Sequence, residues 1–397
     1  MVLQLGFIGC GGISRAHFDG LVELRQAGQH RFDLRAVCDV DRDRAEALAD
    51  RAAEAFGTRP DVSDDYHALL RGAHVDAVSV MVQHHLHHVI ARDAFASGVH
   101  VQMQKPIAIS PSYARQMIED AQRHSRVLTV AEPAILGAGA VALARAVGDG
   151  LIGDLYYVVD FATAATKGGF FGGTPWRHMK GYAGGGWIMD HGLHRVSHFL
   201  TVGGAIDEVF AYTKLFEPVR RDPHTGFEQR TTGEDAALTV FRFASDALGH
   251  WLCATAAHGE GAHGLWYYGS KGVARPREYV KLDDGTTISW DDLVARYAPD
   301  VVRDSFAHSY LELADAIERG AAPISSAARG AEALGVVYAA LEASTVGRPV
   351  KVADVLAGRA HAYEDGVIKE MQTLTLQDSA GAPEAGLVAV RAAGTTP

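Results

Sequence analysis

Three residues in two separate motifs have the types that move a proton from a hydroxyl group. Lys105 closes the apolar, strand-like stretch "VHVQMQKPIA", and a buried lysine costs free energy unless it has a partner or a task. Asp190 and His194 lie four residues apart in "AGGGWIMDHGLHRVSHFL". Histidine exchanges a proton near neutral pH, lysine stabilises negative charge on oxygen, and an aspartate one helical turn away can orient an imidazole. These residues predict acid–base chemistry, and the sequence leaves open how Lys105 and His194 divide the roles.

A glycine loop near the N-terminus predicts a dinucleotide site. In "GFIGCGGISRAH", Gly9, Gly11 and Ser14 form a G-x-G-x-x-small pattern between a strand and a helix. Such a loop lets the backbone approach a pyrophosphate, which the helix N-terminus attracts. Asp39 ends the second strand, where a carboxylate accepts hydrogen bonds from ribose hydroxyls and repels a 2′-phosphate. We therefore expect NAD rather than NADP, held here by Gly9, Gly11, Gly12, Ile13 and Asp39.

The elements that must position these residues belong to two kinds of domain. In the first third of the chain, short apolar runs alternate with helical segments, which predicts parallel βαβ units. From about residue 154, alternating runs follow one another without helices, which predicts an antiparallel sheet. We therefore expect an α/β protein with an N-terminal Rossmann domain over residues 1–130. A C-terminal α+β domain with a large, mostly antiparallel open sheet is expected over residues 131–353, and a tail or arm over residues 354–397.

Composition limits the classes of partner. The chain has 397 residues and a formal net charge of −11 without a basic run, so neither a nucleic-acid nor a membrane partner is expected. Cys10, Cys38 and Cys253 are too few and too widely spaced for a disulfide framework or a CxxC metal site. Because the sequence shows neither a membrane-length apolar run nor a leader-like start, we expect a cytoplasmic protein.

The motifs, in their order, resemble the glucose-fructose oxidoreductase / inositol dehydrogenase / MocA (Gfo/Idh/MocA) family over residues 3–352. The glycine loop, the lysine motif, the segment of Asp190 and His194, "YYGSKG" and "ASTVGRPV" carry this resemblance. It implies NAD(P)-dependent hydride transfer to or from a sugar or cyclitol, with Lys105, Asp190 and His194 as the catalytic set. It also implies a homodimer or homotetramer formed through the open sheet.

Two departures from the family pattern affect the expected cofactor site. The family usually has Glu-Lys-Pro where this chain has Gln-Lys-Pro, and the neutral Gln104 would let Lys105 lose its proton more easily. The family's Thr-Pro-Asn…His segment corresponds to "VQHHLHH", with Gln83, His84 and His87 at its last three marked positions. The resemblance therefore implies cofactor contacts from Gln83, His84, His87, Gln104 and Lys105.

A histidine cluster and an aromatic loop each allow two interpretations. His84 and His88 have the i, i+4 spacing that can hold a metal on a helix, but no further ligand pattern accompanies them, so no metal is expected. The glycine-rich loop "GGFFGGTPWRHMKGYAGGG" carries aromatic and basic side chains that either line the substrate site or pack locally. The candidate substrate contacts are Lys105, Glu132, Trp176, Arg177, Tyr182, Asp190 and His194.

The sequence thus favours an NAD-dependent oxidoreductase acting on a hydroxyl or ketone of a sugar, sugar derivative or cyclitol. The alternative is an NAD-dependent glycoside-cleaving enzyme that oxidises its substrate transiently, eliminates, and restores the cofactor. A non-catalytic NAD-binding regulator would predict a broken catalytic set, which this chain does not have. Few cationic residues lie near the motifs, which favours a neutral polyol, while Arg177 leaves a sugar acid open.

Overall fold

A computed structural model describes residues 2–164, 174–221, 226 and 228–379. Within these ranges the chain forms two sheets of several strands each and a separate hairpin of two short strands. Helices cover both faces of the first sheet and one face of the second. The predicted α/β class, a Rossmann domain followed by a mostly antiparallel open sheet, is confirmed.

The first sheet is parallel and has six strands among the described residues, in the order β3-β2-β1-β4-β5-β6. Its central strands are apolar and almost fully buried, as expected for strands covered by helices on both faces. The short β3 was not predicted from the sequence. The strands are β1 (Leu3–Ile8), β2 (Phe32–Cys38), β3 (Asp61–Ser63), β4 (Ala77–Val80), β5 (His100–Gln104) and β6 (Leu128–Ala131).

The helices of the first domain follow the strands in βαβ order. The crossover helices are α1 (Gly12–Gln26), α2 (Arg42–Phe56), α3 (Tyr66–Gly72), α4 (His87–Ala96) and α5 (Pro111–Arg123). A 3₁₀ turn over His84–Leu86 precedes α4. Because the strands run parallel, their carboxyl ends meet at one edge of the sheet, which is where open α/β sheets bind ligands.

The second sheet has nine strands among the described residues, in the order β16-β15-β14-β13-β7-β12-β11-β8-β17. All neighbouring pairs are antiparallel except β7 with β12, which run parallel. The strands are β7 (Leu155–Thr163), β8 (Ile206–Lys214), β11 (Ala236–Phe243), β12 (Leu248–Ala254), β13 (His263–Gly269), β14 (Gly272–Arg275), β15 (Tyr279–Leu282), β16 (Thr287–Ser289) and β17 (Val350–Lys351). The separate hairpin pairs β9 (Val219–Arg221) with β10 (Glu228–Arg230).

The remaining helices connect the two domains and cover one face of the second sheet. They are α6 (Pro133–Leu136), α7 (Ala138–Gly148), α8 (Lys180–Ala183), α9 (Trp187–Asp190), α10 (Gly192–Gly203), α11 (Trp290–Tyr297), α12 (Ser305–Arg319), α13 (Ala327–Val346), α14 (Val352–Leu356) and α15 (Ala362–Ser379), with a 3₁₀ turn over Pro175–His178.

Helix α10 is fixed on the second sheet by aromatic packing. Phe199 stacks on Phe241 of β11 at 5.3 Å and meets the edge of Trp251 of β12 at 6.2 Å between ring centroids. Gly192, at the first turn of α10, lies against the same Trp251 ring, because a Cβ there would approach it within 2.5 Å. Burying an aromatic side chain stabilises the folded protein by roughly 2–3 kcal/mol. The N-terminal half of α10, which carries His194, is therefore held rigidly.

Part of the segment expected as a tail is folded. In place of a tail, residues 352–379 form α14 and α15. Val367 and Met371 of α15 are buried beside Ile109 of the first domain, and Glu342 of α13 accepts hydrogen bonds from the backbone at the start of α15. This helix was not predicted from the sequence, because its apolar residues show only a weak helical periodicity. Residues 380–397 lie outside the described residues.

No helix within the described ranges is both long enough and apolar enough to cross a membrane.

The glycine loop offers a test of the first domain's folding. Gly9 has φ +97°, and a Cβ there would lie 2.4 Å from the carbonyl oxygen of Met81, whereas a Cβ at Gly11 would meet nothing within 4 Å. We expect Gly9→Ala to lower the free energy of unfolding by about 2–4 kcal/mol, because it adds left-handed strain to a backbone clash.

The matched control, Gly11→Ala, should stay within about 0.5 kcal/mol of the wild type. Urea unfolding without cofactor measures both variants. Equal stability of the two would contradict this account of the loop.

Candidate active site

Lys105 reaches the site from the end of β5. Its peptide bond to Pro106 is cis. The side chain is buried, and its Nζ donates hydrogen bonds to the backbone oxygen of Asp190 at 2.8 Å and to its Oδ1 at 3.0 Å. The partner that a buried lysine requires therefore comes from the second domain.

Asp190, at the end of α9, is the anionic centre of a three-membered cluster. Its Oδ1 also accepts a hydrogen bond from the guanidinium of Arg177. Burial alone would raise the pKa of Asp190, but the charges of Lys105 and Arg177 outweigh it and hold that pKa well below its usual range. Asp190 is thus ionised at neutral pH.

Asp190 does not orient His194, contrary to the sequence prediction. The carboxylate of Asp190 is bound instead by Lys105 and Arg177, and no hydrogen bond or ion pair among the described residues joins it to His194. Glu132 takes the predicted role instead, since its Oε1 lies 2.5 Å from Nδ1 of His194.

The Glu132–His194 pair sits beside the lysine cluster. Glu132 follows β6 and is buried, and its Oε1 also accepts a hydrogen bond from the backbone N–H of Ala134 at 3.0 Å. Burial would raise the pKa of Glu132, but His194 and, more weakly, Lys105 bring it below its ordinary value. A carboxylate on Nδ1 fixes the imidazole tautomer and leaves Nε2 for a ligand.

The glycine loop fits the cofactor predicted from sequence. A Cβ on Gly11 or Gly12 would meet nothing within 4 Å, so open space lies in front of the N-terminus of α1. Asp39 accepts hydrogen bonds from the backbone N–H groups of Cys10 at 2.7 Å and Asp41 at 2.9 Å. These bonds hold its carboxylate at the end of β2, where it retains lone pairs for ribose hydroxyls. Ile13 lies in the first turn of α1.

Three of the other residues expected to contact the cofactor lie near the ends of β4 and β5. Gln104 is buried, and its Oε1 accepts a hydrogen bond from the backbone N–H of Lys105 at 2.8 Å. Gln83 caps the turn that begins at His84, whose Nδ1 lies 2.9 Å from the carbonyl oxygen of Ala183. These residues border the edge where β4 and β5 end.

His87, for which the resemblance implied a cofactor contact, is bound within the protein. Its side chain is fully buried. Its ring nitrogens lie 2.9 Å from the carbonyl oxygen of Pro106 and 3.2 Å from that of Val82. His87 therefore ties the loop after β5 to the end of β4, which is a structural role.

The side chains of the aromatic loop also differ in their exposure. Residues 168–173 of this loop lie outside the described residues. Trp176 is partly exposed, meets the ring of His84 at 4.8 Å, and carries Arg177 over its face at 4.7 Å. Tyr182 is instead buried against His85, with 4.9 Å between the ring centroids, and its contact with a substrate stays a prediction.

The histidine cluster is used in packing. His88 stacks on Tyr113 at 3.8 Å, and His84 belongs to a different helical turn with its Nδ1 engaged. In the part of the chain that the structure describes, no group of three or more His, Cys, Asp or Glu side chains could hold a metal ion.

A cavity of about 1320 Å³ opens beside the catalytic candidates. His194 lines it, together with the chain that follows Glu132, the start of β13, the turn between β14 and β15, and α11. This volume exceeds the range typical of drug-sized ligand sites, about 300–1,000 Å³. The site therefore has room for a substrate next to the imidazole.

Two models of one protein family match most of the described chain. The model described as "Oxidoreductase family, NAD-binding Rossmann fold" matches residues 3–132. The model described as "GFO/IDH/MocA C-terminal domain" matches residues 140–275. The first match shows an NAD-binding domain at the position of the glycine loop.

Curated relatives and solved structures agree with these matches. The D-glucoside 3-dehydrogenase of Escherichia coli is 29% identical over 213 residues, which are 53% of this chain and 57% of that protein. The levoglucosan dehydrogenase of Pseudarthrobacter phenanthrenivorans is 27% identical over 279 residues, 65% of this chain and 68% of that protein. The match thus spans little more than half of the first relative's length.

A crystal structure of an oxidoreductase domain protein from Kribbella flavida shares the fold, with a TM-score of 0.77 at 24% identity over 88% of this chain and 99% of that chain. Because both domain models belong to one family and match in the order that the fold requires, the chain belongs to the Gfo/Idh/MocA oxidoreductase family.

Proposed function

We propose that this chain is an NAD-dependent dehydrogenase acting on a CH–OH group of a sugar, sugar derivative or cyclitol. One observation carries the proposal: the Lys105–Asp190 pair and the Glu132–His194 pair meet where β5 and β6 end, on the edge that carries the glycine loop. The relatives named as dehydrogenases of glucosides, levoglucosan and inositol support this substrate class.

Oxidation of a secondary alcohol removes a hydride from carbon and a proton from oxygen. NAD held at the glycine loop and Asp39 would supply the hydride acceptor, and the protein's own residues must handle the proton. Glu132 holds the Nδ1 side of His194, so Nε2 is the atom that accepts the hydroxyl proton. Lys105 donates to Asp190 and retains a further N–H for the substrate oxygen, where it stabilises developing negative charge.

The glycoside-cleaving alternative has a specific observation in its favour. A glycosyl hydrolase family 109 protein of Streptomyces coelicolor is 32% identical over 124 residues, 30% of this chain and 26% of that protein. The cavity beside His194 has room for a glycoside. Both reactions begin with the same oxidation, so they differ in outcome: net NADH with an intact substrate, or cleavage without net NADH.

We also propose that the chain is a cytoplasmic homo-oligomer assembled through the second sheet. The three cysteines are free and buried, which suits a reducing compartment. Large apolar side chains lie exposed on the sheet face opposite α10 and α13, including Tyr212, Leu238, Val240 and Leu248. An apolar patch of this kind favours burial against a second copy.

Replacing His194 by Asn should lower kcat about 100-fold or more, because the proton acceptor is lost. Replacing Glu132 by Gln should lower kcat about tenfold or more, because the imidazole loses the carboxylate that fixes its tautomer. Reduced-nicotinamide absorbance over a panel of sugars, cyclitols and glycosides measures the rates, with NAD and NADP compared.

The matched control is Glu119→Gln, which removes an exposed carboxylate on α5, outside the cavity and the two catalytic pairs. NAD affinity should be unchanged in all three variants. Turnover of no sugar, cyclitol or glycoside would refute the proposed activity, and preference for NADP would refute the role of Asp39.

Gln104→Glu tests the departure from the family's lysine motif. The new carboxylate can still accept the hydrogen bond from the Lys105 backbone, and it adds a negative charge beside the catalytic lysine. Because a nearby negative charge favours protonated groups, we expect the pH–rate profile to move to higher pH. An unchanged profile together with unchanged NAD affinity would contradict this role.

Leu238→Glu combined with Val240→Glu should dissociate the oligomer, since both side chains lie on the exposed face of β11. Leu376→Glu on α15 is the control, because Leu376 is exposed away from the sheet. Sedimentation velocity distinguishes the species. A monomeric wild type, or an unaffected double variant, would overturn the proposed interface.

A further inference from the structure

The cavity beside His194 is cationic, although the chain as a whole has a formal net charge of −11. Four arginines and two carboxylates line it, which leaves an excess of positive charge. Burial and neighbouring cations lower the pKa values of His191 and His198 to about 4, so these lining histidines are neutral at neutral pH. The charged lining residues are Arg195, Arg275, Arg277, Arg303, Glu278 and Asp291.

Two of the four arginines have other tasks. Arg275 forms an ion pair with Glu278 at 2.8 Å and lies over the ring of Trp266 at 5.0 Å. Arg303 comes just before α12, which packs on α1, the helix that follows the glycine loop. Arg303 therefore lies where the cavity meets the first domain.

Arg195 lines the cavity and forms an ion pair with a buried aspartate. It follows His194 in α10, and its Nε lies 3.7 Å from Oδ2 of Asp160. Asp160 is fully buried on β7, and burial raises its pKa to about 7 against the opposing effect of Arg195. Asp160 thus neutralises Arg195 only in part. Among the described residues, no protein acceptor bonds the terminal nitrogens of Arg195, which lines the cavity.

Arg277 approaches the same wall from the turn between β14 and β15. It is exposed, has no ion pair or hydrogen bond with any described residue, and has φ +70°. Arginine is disfavoured in this left-handed region, where glycine or asparagine is preferred. Arg195, Arg277 and His198 all line the cavity, and both arginines lower the pKa of His198 after the effect of burial.

We propose that the substrate is an anionic sugar whose carboxylate or phosphate is bound by Arg195 and Arg277 while its hydroxyl group is held at His194. This rests on the proposed dehydrogenase function and names its substrate class. A guanidinium fork matches the oxygens of either anion, and the partly desolvated wall strengthens the contact. Arg177, the cation that the sequence offered for a sugar acid, is bound to Asp190 and does not supply this site.

Arg277→Gly is the decisive variant, because glycine suits φ +70° and the protein should melt at the same temperature or higher. We expect the wild type to oxidise anionic sugars with kcat/KM at least tenfold above that of their neutral counterparts. The panel pairs glucose with glucuronate, gluconate and glucose 6-phosphate, and repeats this for galactose and mannose, which separates carboxylate from phosphate recognition. Arg277→Gly should lower the anionic-to-neutral ratio at least tenfold, and Arg277→Lys should restore part of it.

Lys281→Gln is the matched control, since it removes an exposed cation from β15 outside the cavity and should change neither rate. Calorimetric titration of the same compounds into the NADH-loaded protein gives a readout independent of turnover. Equal or better turnover of neutral sugars, or an unchanged ratio in Arg277→Gly, would overturn the anionic site while leaving the dehydrogenase function intact.

Binding of anionic sugars that depends on Arg277, without oxidation of any sugar, would refute the dehydrogenase and support the anionic site. Neither binding nor turnover of any compound would refute both.

Discussion

The buried ion pair between Lys105 and Asp190 is the constraint on which the site depends. Lys105 ends a strand of the first sheet, and Asp190 ends a short helix of the second domain. Removing the Asp190 carboxylate would leave Lys105 buried without its ion-pair partner, and a loss of this kind costs about 3–5 kcal/mol in measured cases. The pair is stable only when the two domains are correctly docked, so it couples catalytic geometry to the domain arrangement. Arg177 adds a second cation to Asp190 and keeps that carboxylate ionised.

The Glu132–His194 pair has the same arrangement at the end of the neighbouring strand of the first sheet. Glu132 follows β6, the neighbour of β5, and His194 lies in α10 of the second domain. Parallel strands deliver Lys105 and Glu132 to one edge at a spacing of about 4.8 Å between strands. Each pair therefore joins a residue at the edge of the first sheet to a residue on a helix near the second sheet. The aromatic packing of Phe199 then keeps the helix that carries His194 in place.

The sequence predicted the fold class, but it did not predict which side chains pair at the candidate site. The glycine loop, Lys105 and His194 were recognisable because local turn chemistry and strand ends have strong sequence patterns. The predicted contact between Asp190 and His194 is absent because Lys105 and Arg177 bind the carboxylate and Glu132 binds the imidazole. These contacts, like the burial of His87 and Tyr182, join residues that are distant in the chain. A carboxylate after β6 was the one available signal for Glu132.

The positive charge of the cavity beside His194 was likewise not predictable from the sequence. In a sequence, a charged site is recognisable as a run of like charges. Arg195 lies in a helix and Arg277 in a turn between two strands, more than eighty residues further along the chain. Their convergence is a property of the sheet, which brings the β14–β15 turn beside the first turns of α10. An overall negative charge repels anions at long range, but within a cleft the potential follows the nearest groups, because distant charges are screened over about 8 Å in physiological salt. A net charge of −11 is therefore compatible with a site that selects an anionic substrate.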